Sequence, residues 1–345
     1  MSEKVLAAMS GGVDSSAAAL LLKEQGYECI GATMRLFGGS EAEAECAAAV
    51  CGKLGMEHRV FDLSELFSRK VIGSFISEYE LGRTPNPCIV CNRYLKFGAL
   101  LEKAGELGCG LIATGHYARI ERDEETGRFK LRKAAFLPKD QSYVLCRLTQ
   151  EQLSRAIFPL GELSKEQVRE KAAENGFENA HKHDSQDICF IPDGDYAGFI
   201  RRATGKNYPE GDFIDTSGKI LGRHKGLVCY TIGQRKGLGI SLGERAYVCA
   251  LDPAANTVTL GQDSDLYTRS VRVRSLNFIS VPDITDGLRA CVKLRYSHRE
   301  QPALISRTGE DELTVLFDEP QRAPTPGQSA VIYDGEYVLG GGVIL

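Results

Sequence analysis

Short apolar runs alternate with helical patterns through the first half of the chain. The apolar runs predict strands at residues 4–9, 28–34, 58–62 and 110–114. The helical patterns predict helices at residues 17–24, 41–54, 64–79, 92–107 and 164–175. Strands that alternate with helices in this way are typical of a parallel α/β sheet with right-handed crossovers.

The pattern changes after residue 192, where glycine becomes frequent and the apolar runs shorten. They predict strands at residues 227–232, 246–251 and 257–261. From residue 271 apolar and polar positions alternate with a period of two, which is typical of a small all-β domain, and we expect a barrel. We therefore expect three parts, listed by residue range: an α/β domain at 1–192, a central domain at 193–268 and a C-terminal β-barrel at 269–345.

Composition narrows the classes of function. The chain has 345 residues, which is longer than one small module. Its residues are 43% hydrophobic and 26% charged, a composition that suits packed cores. A net charge of −4 excludes a uniformly basic surface but permits a local basic face. Because no apolar run reaches the roughly 18 residues of a membrane span and no signal peptide is recognisable, we expect a cytoplasmic protein without a membrane partner. Eleven cysteines in a reducing compartment argue against a disulfide framework.

A glycine-rich turn joins the first predicted strand to the first predicted helix, where α/β sheets bind ligands. Its residues are Ser10, Gly11, Gly12, Val13, Asp14 and Ser15. Glycines let the backbone approach an anion, and the helix N-terminus adds N–H donors. Asp14 could hold Mg²⁺ beside a pyrophosphate. The spacing disfavours a P-loop kinase and a dinucleotide-binding dehydrogenase, and a plain strand-to-helix turn is the alternative.

Two segments place cysteines in unusual surroundings. Cys88 and Cys91 follow two prolines, and we expect Cys91 at the start of the next helix, where the helix dipole would lower the pKa of its thiol. Cys189 follows basic residues at 181–183 that would also favour a thiolate. The alternatives are a packed pair or half a zinc site for the first segment, and a buried apolar cysteine for the second.

Four further segments carry motifs that follow one another in a fixed order along the chain. They lie at residues 114–118, 139–143, 230–239 and 295–296. With the glycine-rich turn and the cysteine segments, they resemble the tRNA-specific 2-thiouridylases of the ATP pyrophosphatase (PP-loop) superfamily. The resemblance implies that ATP adenylates the C2 oxygen of the wobble uridine in tRNAs for glutamate, glutamine and lysine. It implies that Cys189 carries a persulfide, that Cys91 is the partner nucleophile, and that a disulfide joins them on turnover. A cysteine desulfurase or a sulfur relay protein would supply the sulfur.

The resemblance also assigns binding residues. Its ATP contacts carry over to Ala8, Met9, Ser10, Gly11, Gly12, Val13, Asp14, Ser15, Met34 and Gly115. Its tRNA contacts carry over to Asn86, Pro87, Cys88, His116, Lys139, Asp140, Gln141, Arg295, Tyr296 and Gln328. The alternative for Met34 is a plain core residue, and the alternative for His116 is a loop histidine that binds a backbone carbonyl.

Cys88 departs from the family pattern, in which many members have aspartate. A carboxylate that acts as general acid or base is therefore absent at this position, or a residue elsewhere takes its role. With Cys91 and Cys189 it could hold a [4Fe–4S] cluster whose free iron binds hydrosulfide. Two other classes stay open: an ATP pyrophosphatase-type ligase acting on a small carbonyl substrate, which would need neither Cys189 nor a basic barrel, and an RNA-binding module with an inactive ATP loop.

Overall fold

Strands and helices alternate through the N-terminal part of the computed structural model, which describes residues 3–38, 41–181, 188–240, 243 and 245–345. The strands are β1 (Lys4–Ala8), β2 (Glu28–Arg35), β3 (Glu57–Asp62), β4 (Leu111–Ala113), β5 (Ala118–Arg122), β6 (Phe129–Lys133) and β7 (Ala156–Ile157). The helices are α1 (Val13–Glu24), α2 (Glu41–Lys53), α3 (Ser64–Phe67), α4 (Gly73–Glu80), α5 (Pro87–Cys91), α6 (Leu100–Glu106), α7 (Gln150–Ser154) and α8 (Lys165–Glu174). The π-helical segments Ser68–Ile72 and Asn92–Ala99 join α3 to α4 and α5 to α6.

Five strands form the predicted parallel sheet in the order β3-β2-β1-β4-β7. Ala8 pairs with Ala32, and Ala7 pairs with Ala113, so the carboxyl ends of β1, β2 and β4 lie along one edge. Helices cover both faces: Leu22 of α1 is buried on one, and Leu100 of α6 on the other. The prediction of an α/β domain is confirmed, and ligands of such sheets bind at this edge.

The central part is a small mixed sheet preceded by one helix. Its elements are α9 (Tyr196–Thr204), β8 (Gly211–Ile214), β9 (Ile220–His224), β10 (Tyr247–Asp252) and β11 (Thr257–Gly261), with the strand order β10-β11-β8-β9. The strand predicted at residues 227–232 is wrong. Leu227–Cys229 is instead one 3₁₀ turn that buries Leu227 and Val228, because a short apolar run does not by itself distinguish a strand from a buried helical turn.

Six antiparallel strands close into the predicted C-terminal barrel. They are β12 (Tyr267–Phe278), β13 (Leu288–Lys293), β14 (Gln301–Gly309), β15 (Glu312–Arg322), β16 (Ser329–Asp334) and β17 (Tyr337–Ile344). The order is β12-β15-β14-β13-β16-β17, and β12 pairs with β17 to complete the circle. Val273, Ile305 and Phe317 are buried in its core. Closure pairs both edges of the sheet, which is how a barrel avoids exposed edge strands.

A hairpin from the N-terminal part fixes the barrel beside the α/β sheet. Strands β5 and β6 flank the charged turn, and β6 adds to the barrel by pairing Leu131 with Val338. Next to this junction, the Tyr143 hydroxyl donates to the carbonyl of Ser329 at 2.8 Å. The α/β sheet and the barrel therefore share one continuous interface. Within the described residues, no helix combines the length and the apolar character needed to cross a bilayer.

Candidate active site

The glycine-rich turn lies at the carboxyl edge of the parallel sheet, between β1 and α1. Gly11 has φ of +70°, and a Cβ atom there would lie 2.6 Å from the carbonyl oxygen of Glu43, so a side chain does not fit. The side chain of Asn179 donates to the carbonyl of Gly11 at 3.0 Å. Ser15 Oγ donates to the carbonyl of Gly12 at 2.9 Å. These bonds fix the backbone of the turn next to the N-terminus of α1. A turn of this kind at a helix N-terminus is suited to binding phosphate groups.

Other residues assigned to ATP flank this turn. Met9 and Val13 are 2% and 3% exposed and belong to the core, so their contact with a ligand is limited to the backbone. Ala8 ends β1, and Met34 is half-buried near the end of β2. The neighbours Thr33 and Arg35, and not Met34, line a cavity of about 180 Å³. Because Ala8 pairs with Ala32 in the parallel sheet, Met34 lies at the same sheet edge as the turn.

Asp14 is held by two side chains that sequence analysis missed. Helix α1 begins at Val13 rather than at residue 17, so Asp14 lies in its first turn. Lys165 Nζ lies 2.8 Å and 2.9 Å from the two carboxylate oxygens, and the Tyr117 hydroxyl donates to one of them at 2.7 Å. Lys165 and Tyr117 thus hold the carboxylate of Asp14 in place. Because a carboxylate can accept about four contacts, Mg²⁺ beside Asp14 stays a prediction.

The start of α8 explains the position of Lys165. Ser164 is the N-cap, and its side chain and that of Gln167 form a reciprocal capping box. The helix predicted at residues 164–175 therefore begins at Lys165. Lys165 is only 4% exposed. The capping signal was thus visible in the sequence, but it does not show what the next side chain touches.

Strand β4 brings Gly115 into contact with the glycine-rich turn. A Cβ atom on Gly115 would lie 2.8 Å from the carbonyl carbon of Asp14 and 2.9 Å from the nitrogen of Ser15. Only glycine lets these two backbones approach so closely. Gly115 is therefore positioned at the turn, as the resemblance implies, and it carries the next residue, His116, toward the thiols.

His116 is a buried neutral histidine. It is 7% exposed, and its Nδ1 lies 2.7 Å from Thr114 Oγ1. The rings of Phe97 and Phe158 lie 6.0 Å and 5.9 Å from its imidazole. Burial, together with the Lys96 ammonium, holds the pKa of His116 well below its ordinary value. The imidazole is therefore uncharged at neutral pH.

The structure brings the three predicted thiols into electrostatic contact. Cys88 and Cys189 are exposed and Cys91 is half-buried, but protein atoms crowd each sulfur. Burial, followed by the neighbouring thiols of Cys91 and Cys88, raises the pKa of Cys189 to about 12. Burial also raises the pKa of Cys88 and of Cys91. All three are free thiols, and a proton must leave before any of them can act as a nucleophile.

The predicted thiolate at a helix start is wrong. Helix α5 begins at Pro87, and Asn86 is its N-cap, accepting from the nitrogen of Cys88 at 3.1 Å. Cys91 therefore ends α5 instead of beginning a helix, and the N-terminal dipole does not act on it. For Cys189, burial is the largest effect on the pKa of its thiol and raises it, while the predicted effect of the basic residues at 181–183 stays a prediction. Of the residues at 181–183, Lys182 and His183 lie outside the described residues.

Lys96 is a cation that sequence analysis missed. It lies in the π-helical segment Asn92–Ala99, which continues from Cys91. Its ammonium lowers the pKa of Cys88, Cys91 and Cys189, against the larger effect of burial. A lysine in a helical pattern usually lies in solvent, and only the fold reveals that this one faces the thiols.

A glutamine holds this π-helical segment in place. Gln152 Nε2 donates to the carbonyl of Arg93 at 2.8 Å and to that of Phe97 at 2.9 Å. The side chain of Asn92 donates to the carbonyl of Val144 at 3.0 Å. π-helical turns are uncommon and occur frequently at functional sites. The segment that carries Lys96 is thus anchored on both sides by side-chain amides.

The described residues do not form a metal centre. Within that part of the chain, no three His, Cys, Asp or Glu side chains are grouped closely enough to hold one ion. Cys88, Cys91 and Cys189 therefore do not present a preformed site for a [4Fe–4S] cluster in this structure, and the first two cysteines do not belong to a zinc site within those residues.

Comparison with known proteins identifies the family. Residues 3–193 match the tRNA methyl transferase HUP domain, residues 197–262 match the tRNA methyl transferase PRC-barrel domain, and residues 268–344 match the aminomethyltransferase beta-barrel domain. The chain is 48% identical over 355 residues to the tRNA-specific 2-thiouridylase MnmA of Clostridioides difficile (strain 630), covering 100% of this chain and 98% of that protein. The chain belongs to the MnmA family.

Further MnmA relatives agree with this assignment. The protein of that name from Acetivibrio thermocellus is 47% identical over 355 residues, covering 99% of each chain. A solved complex of a 4-thiouridine synthetase with RNA and bound ATP aligns with a TM-score of 0.38 at 16% identity, covering 59% of this chain and 50% of that one. A likeness of that size carries no argument about function.

Some residues that the MnmA resemblance assigns to tRNA brace the loops of the site. Gln141 Oε1 accepts from the nitrogen of Tyr117 at 2.9 Å, directly after His116. Asp140 accepts from the hydroxyl of Ser142 at 2.7 Å. Lys139 is half-buried and ends a 3₁₀ turn, Leu137–Lys139. These bonds shape the rim of the region around His116.

The remaining assigned residues join the barrel to the cysteine segment. Gln328 Nε2 donates to the carbonyl of Thr84 at 2.6 Å. Arg295 donates to carbonyls of the central part and of the barrel at 3.2 Å and 3.0 Å. Tyr296 is 43% exposed. Burial, followed by Asp140 and the Cys88 thiol, raises the pKa of Tyr296. Its ring lies 6.1 Å from the ring of Tyr143, so Tyr296 is an accessible aromatic surface where the barrel meets the α/β domain.

Proposed function

We propose that this chain is an ATP-dependent tRNA 2-thiouridylase. The observation that carries the proposal is the meeting of two kinds of chemistry in one region. Gly115 touches the glycine-rich turn at Asp14, and the next residue, His116, shares the Lys96 ammonium with the three thiols. The phosphate-binding turn and the segment that carries Lys96 therefore both adjoin residues 115–116, since the ring of Phe97 lies 6.0 Å from that of His116, and this supports the proposal. Full-length relatives named tRNA-specific 2-thiouridylase support the same reading.

In the first step, the turn and the start of α1 bind the phosphates of ATP. Attack of the uracil C2 oxygen on the α-phosphate forms an adenylated base and releases pyrophosphate. The N–H groups of the turn stabilise the charge that develops on the leaving pyrophosphate. Lys165, beside Asp14, adds positive charge for the anionic phosphates. Asp14 would hold Mg²⁺, which would neutralise part of the phosphate charge.

In the second step, sulfur replaces the activated oxygen. The terminal sulfur of a Cys189 persulfide attacks C2, and AMP leaves with the former C2 oxygen. The Cys91 thiolate then attacks the sulfur of Cys189 and breaks the S–S bond, so the base keeps the transferred sulfur. That sulfur is reduced while the two thiols are oxidised to a disulfide, which an external thiol must reduce. Lys96 stabilises the anionic sulfurs in both attacks.

The substrate in this proposal is the wobble uridine of tRNAs for glutamate, glutamine and lysine. The base must leave its stack so that its C2 position can be adenylated and then thiolated, and the exposed ring of Tyr296 offers a surface for RNA. A cysteine desulfurase or a relay protein in the cytoplasm supplies the persulfide sulfur. Because the family carries both methyltransferase and thiouridylase descriptions, the test must identify the product itself.

Nucleoside analysis by mass spectrometry provides this test. We expect unmodified tRNA incubated with the protein, ATP, Mg²⁺ and a persulfide donor to gain one 2-thiouridine at the wobble position. If anaerobically purified protein that contains no iron forms 2-thiouridine, the result supports the persulfide route over the cluster route. Thiolation that survives Asp14→Ala would contradict ATP-dependent activation, and transfer of a methyl group would contradict the proposed reaction.

A further inference from the structure

A basic cavity lies where α9, the central sheet and the barrel meet. It has a volume of about 670 Å³. Its lining includes the loop at residues 231–236 together with Tyr247, Arg295 and Arg322. This cavity is separate from the glycine-rich turn and the thiols, and the reaction described above does not use it.

Positive charge is concentrated in this cavity. Arg235 and Lys236 are exposed on the loop, and they line the same cavity as Arg295 and Arg322. After burial, the nearby Arg322 lowers the pKa of Arg295, because the two cations repel one another. Only one carboxylate, Asp263, pairs with Arg322 among the described residues, at 2.9 Å. The cavity therefore carries an excess of cations that an anion would balance.

The walls also offer aromatic and backbone surfaces. The guanidinium of Arg322 lies 5.3 Å from the ring centre of Tyr247. Gly233 has φ of +86°, and a Cβ atom there would lie 3.8 Å from Arg322 Nη1 and 3.9 Å from Arg295 Nη2. The loop backbone and two guanidinium groups thus approach one another closely. Cations beside an exposed aromatic ring are the combination that single-stranded nucleic acid uses for its phosphates and bases.

Two connections link this cavity to the thiol cluster. Thr84 Oγ1 donates to Thr231 Oγ1 in the cavity loop at 3.4 Å, and the chain then runs four residues from Thr84 to Cys88. An extended segment of that length spans only about 13 Å. On the barrel side, Gln328 Nε2 donates to the carbonyl of the same Thr84 at 2.6 Å, and Arg295 lines the cavity. The cysteine segment is therefore attached to both sides of the cavity.

We infer that this cavity binds a nucleotide of the tRNA strand close to the target uridine, with its phosphate against Arg235 and Lys236 and its base or ribose against Tyr247. The inference rests on the proposed function for the identity of the RNA. It adds a second contact on the same strand, outside the site of chemistry. Such a contact fixes the position of the strand, so it contributes to binding of the tRNA and not to the chemical step.

The test compares two double variants that remove equal charge. Arg235→Gln/Lys236→Gln changes the cavity, and Arg202→Gln/Lys219→Gln changes exposed cations elsewhere on the central part. For each we would measure the tRNA dissociation constant across a salt series, with kcat and KM for thiolation. The cavity variant should bind tRNA about tenfold or more weakly, with a salt slope lower by about 2 and kcat nearly unchanged. Arg235→Lys/Lys236→Arg should retain most of the affinity.

Several results would overturn the inference. One is equal affinity and salt slope in the cavity and control variants, and another is a loss of kcat without a change in KM. Tyr247→Ala provides an independent reading, since loss of stacking should weaken binding by roughly tenfold without changing the salt slope. Failure of the proposed function is distinguishable, because wild-type protein would then make no 2-thiouridine while the cavity variant still bound tRNA more weakly than the control.

Discussion

The ammonium nitrogen of Lys165 lies 2.8 Å and 2.9 Å from the two carboxylate oxygens of Asp14. This pair joins the first residue of α8 to the first turn of α1, directly beside the glycine-rich turn. Lys165 is only 4% exposed, and we expect its ammonium to stabilise the charge of phosphate groups that bind at the turn.

Replacing Lys165 by glutamine should therefore impair the ATP-dependent step. We expect pyrophosphate release on tRNA to fall by about 10²- to 10³-fold, as when one preorganised donor is removed from a transition state. Lys171→Gln is the matched control on the same helix, where the lysine pairs with Glu24 at the surface. Equal rates for the two variants would show that Lys165 does not act on the phosphates.

Gly115 should tolerate no side chain. In Gly115→Ala the added carbon meets backbone atoms of the glycine-rich turn, and backbone cannot move aside as a flexible side chain does. We expect the free energy of unfolding to fall by about 1–3 kcal/mol and KM for ATP to rise. Gly110→Ala is the control, because a Cβ atom there meets nothing within 4 Å. Thermal unfolding and ATP titration measure both effects, and an unchanged Gly115→Ala protein would refute the close contact.

Lys96 should control the reactivity of the thiols. Burial raises the pKa of each thiol and the Lys96 ammonium opposes this, so Lys96→Gln leaves burial unopposed and raises the pKa further. At a fixed pH below that pKa, a smaller fraction is thiolate. We expect alkylation of Cys91 and Cys189 by iodoacetamide at pH 8 to slow roughly three- to tenfold.

The pH profile of alkylation separates this effect from a structural one. In Lys96→Gln the profile should shift to higher pH, and Lys96→Arg should restore most of the original rate. Lys103→Gln removes an exposed lysine of α6 that pairs with Glu106, and it should leave the profile in place. Identical profiles for Lys96→Gln and the parent protein would contradict the role of this lysine.

The sequence indicated those parts of the fold that depend on local pattern. The glycine-rich turn, the capping box at Ser164 and the period-two strands of the barrel each carry their signal within a few residues. The start of α5 also had such a signal, because Asn86 before Pro87 is a common N-cap and first helical residue. The prediction placed the helix start at Cys91 instead of Pro87. The thiolate expected at that helix start was therefore also wrong.

The rest of the candidate site depends on contacts that are distant in the chain. Lys165 reaches Asp14 across 151 residues, and Lys96 reaches Cys189 from a helix that otherwise resembles any surface helix. Neither lysine has a neighbour in sequence that distinguishes it from a solvated one. Burial likewise decides the pKa of the thiols, and a sequence reveals basic neighbours more readily than it reveals burial.

The central claim is that nucleotide activation and sulfur transfer are separate steps that meet at one base. Cys189→Ser provides the most direct test, with pyrophosphate release and 2-thiouridine measured in the same reaction of protein, tRNA, ATP, Mg²⁺ and persulfide donor. We predict that tRNA-dependent pyrophosphate release continues at a substantial fraction of the parent rate while 2-thiouridine disappears. Thiolation at the parent level in Cys189→Ser would contradict this account.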